Sequence, residues 1–229
     1  MLFRSLLSII ILFLQGCANT VTSKELGELE ITFNITFESQ PNFINNNYYI
    51  IYGNSSNIDI NYLLSSHYFF IPGQSYEASI GNQITSLGIN YFYDTFFESW
   101  AGVLTLKSED LSVTEGPFSS SSESNEADRV TDHLSYTSNN LSLDDYSYSN
   151  DTLTFTIPAS SFNLSSDVLY FTIVTSTGNK KDNINDLVSN IQEVNLISNS
   201  PPITGTHDTS SFDPTISAAK IISWTISVQ

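Results

Sequence analysis

A lone cysteine, three histidines, two acid-rich stretches and one dense run of aromatics are the parts of this sequence that could carry chemistry. The aromatic run holds Tyr91, Tyr93 and Trp100 among Phe92, Phe96 and Phe97. Flat aromatic faces stack on the apolar faces of sugar rings, so Tyr91, Tyr93 and Trp100 are the candidate ligand-binding residues. Core packing is the competing use, because aromatics supply the largest buried areas. Trp100, beside Glu98 and Ser99, is expected at the surface, whereas Trp224, in phase with Ile222 and Ile226, is expected in the core. Among the acids, Asp144, Asp145 and Asp151 form one group, and Asp182, Asn183, Asn185 and Asp186 form another. Ca²⁺ takes oxygen ligands from such flexible turns. Neither group has EF-hand spacing, so solvated turns are expected, with a structural calcium as the sharper alternative and no other cofactor. His67, His133 and His207 share no ligand spacing and are expected at the surface or in turns. His207-Asp208-Thr209-Ser210 reads as a capped turn, because a proteolytic carboxylate dyad needs two such acids and the chain has one copy. Neither Gly-x-Ser-x-Gly nor His-Glu-x-x-His occurs. An enzyme built from this chain would need dispersed carboxylates converging in one cleft, as in a glycosidase.

The cysteine has a different context. Arg4 precedes an apolar run from Leu6 to Leu14, about half the length a spanning helix requires, and the run ends at Leu14-Gln15-Gly16-Cys17. This stretch resembles the lipobox of bacterial lipoproteins. The resemblance implies that residues 1–16 are a signal peptide, that Leu14, Gln15 and Gly16 are read by the lipoprotein signal peptidase, and that Cys17 is lipidated and becomes the N-terminus. As the only cysteine, Cys17 has no disulfide partner, which favours the lipid role. Two or more acyl chains give stable attachment where one does not. Ala18 stands where the family's inner-membrane retention signal would be aspartate, so delivery to the outer membrane is expected, facing the periplasm or the outside.

Composition bounds the partners. With 7 basic and 24 acidic residues the net charge is −17, and removal of residues 1–16 takes away Arg4 and no acid. Such a chain lacks the basic surface that nucleic acid or anionic headgroups require. Charged residues are only 14% of the total, so the polar surface must be largely Ser, Thr and Asn. The membrane through the lipid, and a glycan or a surface protein, are the expected partners.

The elements that must position these residues are mostly strands. Residues 18–27 read as a polar tether, and residues 28–229 as one β domain. Leu29 to Phe37 alternates apolar and polar, the mark of a half-buried strand. Tyr48 to Tyr52 is apolar on both faces and reads as a central strand, and His67 to Ile71 as a short one ending at Pro72. Phe92, Phe96 and Trp100 allow a helical turn or two before a strand at Val103 to Lys107. Residues 115–150, with a serine run and scattered acids, read as a flexible insertion with a strand near His133 to Tyr136. Strands return at Thr152 to Pro158 and Val168 to Thr175. Asp186 to Ile197 has approximate helical spacing, and Ile222, Trp224, Ile226 and Val228 share one face of a last strand. Phe69-Phe70-Ile71-Pro72 and Phe155-Thr156-Ile157-Pro158 echo one another as two similar corners.

Leu153 to Pro158, Ser161-Phe162 and Val168 to Val174 resemble the strand, proline, turn, strand corner of DOMON-type and related carbohydrate-binding β-sandwiches. The expectation is a mainly β protein, an antiparallel β-sandwich of immunoglobulin-like or jelly-roll-like form with one or two short helices. Its expected role is non-enzymatic binding or adhesion at the cell envelope, with carbohydrate binding around Trp100 and a carboxylate hydrolase as alternatives.

Overall fold

In the computed structural model, the structure describes residues 28–60, 69–74, 89–108, 110–119, 135–141, 146–177, 184–198, 200–207 and 216–229. Leu14 to Cys17, Ala18, His67, His133, Asp144, Asp145, Asp182 and Asn183 lie outside them.

The chain is mainly β, built as two packed antiparallel sheets. Sheet one contains β1 (Glu30–Phe37), β6 (Tyr146–Ser149), β7 (Thr152–Pro158), β11 (Ile203–Thr206) and β12 (Ile221–Val228), in the order β11-β12-β1-β7-β6. Sheet two runs β10-β8-β2-β3-β4-β5, from β2 (Asn46–Gly53), β3 (Gly102–Leu106), β4 (Leu111–Glu115), β5 (Ser138–Leu141), β8 (Val168–Thr177) and β10 (Gln192–Asn195). β9 (Ile184–Leu187) also pairs with β8. An α-helix, α1, spans Ile89–Thr95, and short 3₁₀ turns occupy Phe97–Ser99, Ala159–Ser161 and Ser217–Ala219.

Alternation in β1, β7 and β12 sends one set of side chains between the sheets. Phe33 stacks on Phe155 at 5.0 Å and meets Phe171 edge-on at 5.9 Å, joining both sheets at the centre of the core. The other set forms the outer face of sheet one. Thr32, Asn34 and Thr36 lie between Thr156, Thr154 and Thr152 on one side and Ser227, Thr225 and Ser223 on the other. This neutral hydroxyl and amide face lets the polar surface carry few charges.

The centre of sheet two is buried on both faces, which accounts for Tyr48 to Tyr52. Tyr48, Ile50 and Tyr52 face sheet one, whereas Tyr49 and Ile51 face a second aromatic layer holding Phe69, Phe70, Phe92, Phe97, Trp100 and Phe118. The molecule is therefore three layers deep at this point.

Four sequence expectations need correction. The predicted helix from Asp186 to Ile197 is β9 and β10, which run antiparallel to β8 as one interrupted strand. The ladder slips by one residue at Asn185, and between Leu187↔Val174 and Gln192↔Phe171 residues 188–191 face only 172 and 173. These slips stretch a period of two into spacings of three and four, imitating a helix. Residues 69–71 form no strand; their aromatics leave the sheet to cover its outer face. The Phe-x-Ile-Pro echo therefore joins a covering loop to the end of β7. Within 115–150, β5 and β6 extend the edges of the two sheets, and Tyr136 is no strand residue but packs on Phe118 and Tyr93. The hairpin from β6 into β7 turns at Asn150, whose φ of 56° suits Asn better than most residues. Finally, Ile222 is 39% exposed, because a register shift opposite Thr36/Phe37 places Ile221 inside instead.

Candidate functional site

The aromatic run does not form an exposed stacking face. Successive residues of α1 are turned by about 100°, so Tyr91 and Tyr93 point to opposite sides. Tyr91 is exposed and rests edge-on against Phe92 and Phe96. Tyr93 is buried between Phe97 and Tyr136. Trp100 is only 2% exposed, which corrects the expectation that it lies at the surface. Its ring stacks on Phe69 and meets Phe97 edge-on at 5.0 Å, and its Nε1 donates to the Asp59 carbonyl at 2.6 Å. A tryptophan held by two aromatic contacts and by its polar edge is a structural pillar.

What Trp100 supports is a cleft of about 630 Å³ at the loop end of the sandwich, within the range of small-molecule sites. Four chain segments meet there: the exit from β2, the turn into β3, the exit from β4 and the turn before β8. Asn54, Ser55, Asn57, Ser99, Asn163 and Ser165 contribute to its lining, with Glu98 as the single carboxylate. The rim is held by short bonds. Ser165 N donates to Asn54 Oδ1 at 2.8 Å, and Asp59 N donates to Ser99 Oγ at 3.0 Å. Ala101 N donates to the Tyr52 carbonyl and Gly116 N to the Ala101 carbonyl, both at 2.8 Å, tying the ends of β2, β3 and β4 together. Gly53 packs so closely that a Cβ there would stand 3.0 Å from the Ser99 carbonyl oxygen. Such a cleft offers many neutral donors and acceptors and one negative charge.

The residues of this cleft other than Trp100 were not singled out by type or spacing. The available signal was that Asn54 to Asn57 is a neutral polar run at the end of a buried strand, and that Asn163 and Ser165 flank Leu164 before another. Nothing local indicates that runs so far apart share one rim.

Two further sequence readings change. Asp186, a weak calcium candidate, is fully buried and satisfied by protein donors. Its Oδ1 accepts from Leu187 N at 2.9 Å and lies 2.8 Å from His207 Nε2, and its Oδ2 accepts from Ile221 N at 2.7 Å. The carboxylate thus fastens β9 to β12 and leaves no oxygen facing a solvated turn. His207, expected at the surface or in a turn, is its buried partner, with a side chain 3% exposed. Asn185 donates to Asn46 Oδ1 at 3.1 Å, and Asp151 accepts from Thr152 Oγ1 at 3.1 Å. Among the described residues no group of three His, Cys, Asp or Glu is placed to hold a metal ion, and no helix is long and apolar enough to cross a membrane.

No protein-family model matches the chain, and no curated protein or solved structure matches it.

Proposed function

We propose that this protein is a lipid-anchored cell-envelope module that acts by binding or adhesion rather than catalysis, and that its loop-end cleft receives a neutral, hydroxyl-rich ligand of the glycan class. The observation that supports this reading is the lining of the cleft: Asn and Ser side chains with one carboxylate, on loops pinned to the ends of three strands. Sugar hydroxyls both donate and accept, and amide side chains with hydroxyls match that pattern. Trp100, Phe97 and Tyr93 act in this reading as the packed support behind the site. The lipid anchor rests on the resemblance of Leu14 to Cys17 to a lipobox.

Glycan-array binding of the soluble domain tests the site. Asn57→Ala, Asn163→Ala and Glu98→Gln should each weaken binding about tenfold, the value of one hydrogen bond to an uncharged ligand. Their urea-unfolding midpoints should match the parent. No glycan signal from the folded parent domain would sink the proposal.

A further inference from the structure

A second cleft, of about 390 Å³, opens along one side of the sandwich, where β9 and β10 are interrupted and β11 ends. Val188, Ser189 and Asn190 from the interruption face Thr206 and His207 from the end of β11, and the Trp224 indole forms part of the wall.

Two polar groups distinguish this cleft from a packing gap. Trp224 is 5% exposed, and its Nε1–H has no acceptor among the described residues. Buried donors are nearly always paired, and an indole N–H can be answered only by an acceptor. The placement of that ring is permitted by Gly205, where a Cβ would stand 2.1 Å from Trp224 Cζ2. The second group is His207. Its Nε2 lies 2.8 Å from Asp186 Oδ1, on a carboxylate that also accepts two backbone N–H bonds. An ionised carboxylate only accepts, so Nε2 carries the hydrogen that faces it and Nδ1 is the ring's other polar edge. No described residue bonds Nδ1. The cleft is therefore bordered by one buried donor without a partner among the described residues, at Trp224, and by the ring edge of His207 that Asp186 leaves free, flanked by neutral hydroxyl and amide side chains. The Asp186 carboxylate beneath His207 and the net charge of −17 both oppose an anion.

We propose that this lateral cleft is a second ligand site, taking an uncharged molecule that presents an oxygen to Trp224 Nε1 and a hydroxyl to His207 Nδ1, the pairing supplied by neighbouring hydroxyls of a sugar. It stands on different residues from the loop-end cleft and does not depend on that reading.

The chain has two tryptophans, and each lines one cleft. The indole N–H resonances of ¹⁵N-labelled soluble domain therefore report the two sites separately. Titration with glucose, mannose and N-acetylglucosamine should move the Trp224 resonance saturably with at least one of them, whereas dioxane, an ether with no hydroxyl, should not. Trp224→Phe removes the donor and keeps a ring, and should weaken that sugar's binding at this site about tenfold by calorimetry; His207→Gln should weaken the Trp224 shift by a similar factor. An unmoved Trp100 resonance verifies that each variant is folded before sugar is added. Movement of Trp100 alone would overturn this proposal and leave the loop-end reading standing. A Trp224 resonance that ignores every sugar, one that responds only to dioxane, or unchanged affinity in folded Trp224→Phe would each overturn it as well.

Discussion

Tyr48 shows how much one side chain carries in this fold. Its ring meets Phe37 edge-on at 5.1 Å and packs on Phe43 at 5.0 Å. Its hydroxyl accepts from Asn42 N at 2.8 Å and donates to the Ala218 carbonyl at 2.9 Å, a residue 170 positions away. Burial pushes the phenol up to about 12. Because the folded value is raised, the associated stability is complete below the unfolded value of about 10 and is lost as pH rises through about 12. Urea unfolding followed across that window should show a falling free energy, and Tyr48→Phe should flatten the fall. The same variant leaves the Asn42 N–H without that acceptor and should cost about 1–3 kcal/mol at neutral pH. A parent protein whose stability is flat through this window would contradict the assignment. The residue's place in a strand is legible from its neighbours, whereas the partners of its hydroxyl are not.

At the scale of elements, the interrupted strand opposite β8 is where local pattern and observed structure part. Thr172 Oγ1 donates to the Val188 carbonyl at 2.6 Å in a fully buried position, and Val188 N donates to the Ile173 carbonyl at 3.0 Å. These two bonds hold the slip that separates β9 from β10. Thr172→Val keeps the shape and removes the hydroxyl, and should cost about 1–3 kcal/mol with faster amide exchange from Val188 to Ile191. Thr154→Val provides the control. Its hydroxyl donates to Asn34 Oδ1 on the half-exposed face of sheet one, where substitutions usually stay within about 0.5 kcal/mol. Equal losses in the two variants would show that the interruption has no special dependence on Thr172. Strands β1, β2, β3, β7, β8 and β12 were legible as period-two or continuous apolar runs. The strands left unread, β4, β5, β6, β9, β10 and β11, are four or five residues long, and five of them lie at sheet edges or beside an interruption. Short edge strands carry little burial pattern because one side has no ladder and a face is open to water.

For the whole molecule, the question is how the sandwich is presented. If residues 18–27 serve as the expected tether, ten extended residues would span at most about 33–36 Å, enough to hold the sandwich clear of headgroups. If Cys17 carries the lipid, Cys17→Ser should abolish palmitate labelling and move the protein from the membrane fraction to the soluble one. Unchanged fractionation would refute the anchor. Both clefts lie away from the neutral Thr, Ser and Asn face of sheet one, at the loop end and along the side seam, so they belong to separate surfaces of the domain.

The residues by themselves determined that this is a disulfide-free, acidic, mainly β chain with a sandwich core, because side-chain direction along a strand is local and a period of two can be read without knowing the partner. They also determined the lipobox resemblance, which is a contiguous motif. Only the tertiary structure decided that sheet two is covered on its second face, that Trp100 is a buried pillar, that Asp186 and His207 are paired, and that neutral loops converge into clefts. Each of these depends on segments tens of residues apart approaching within hydrogen-bond distance, and a local pattern carries no information about which distant segment will arrive.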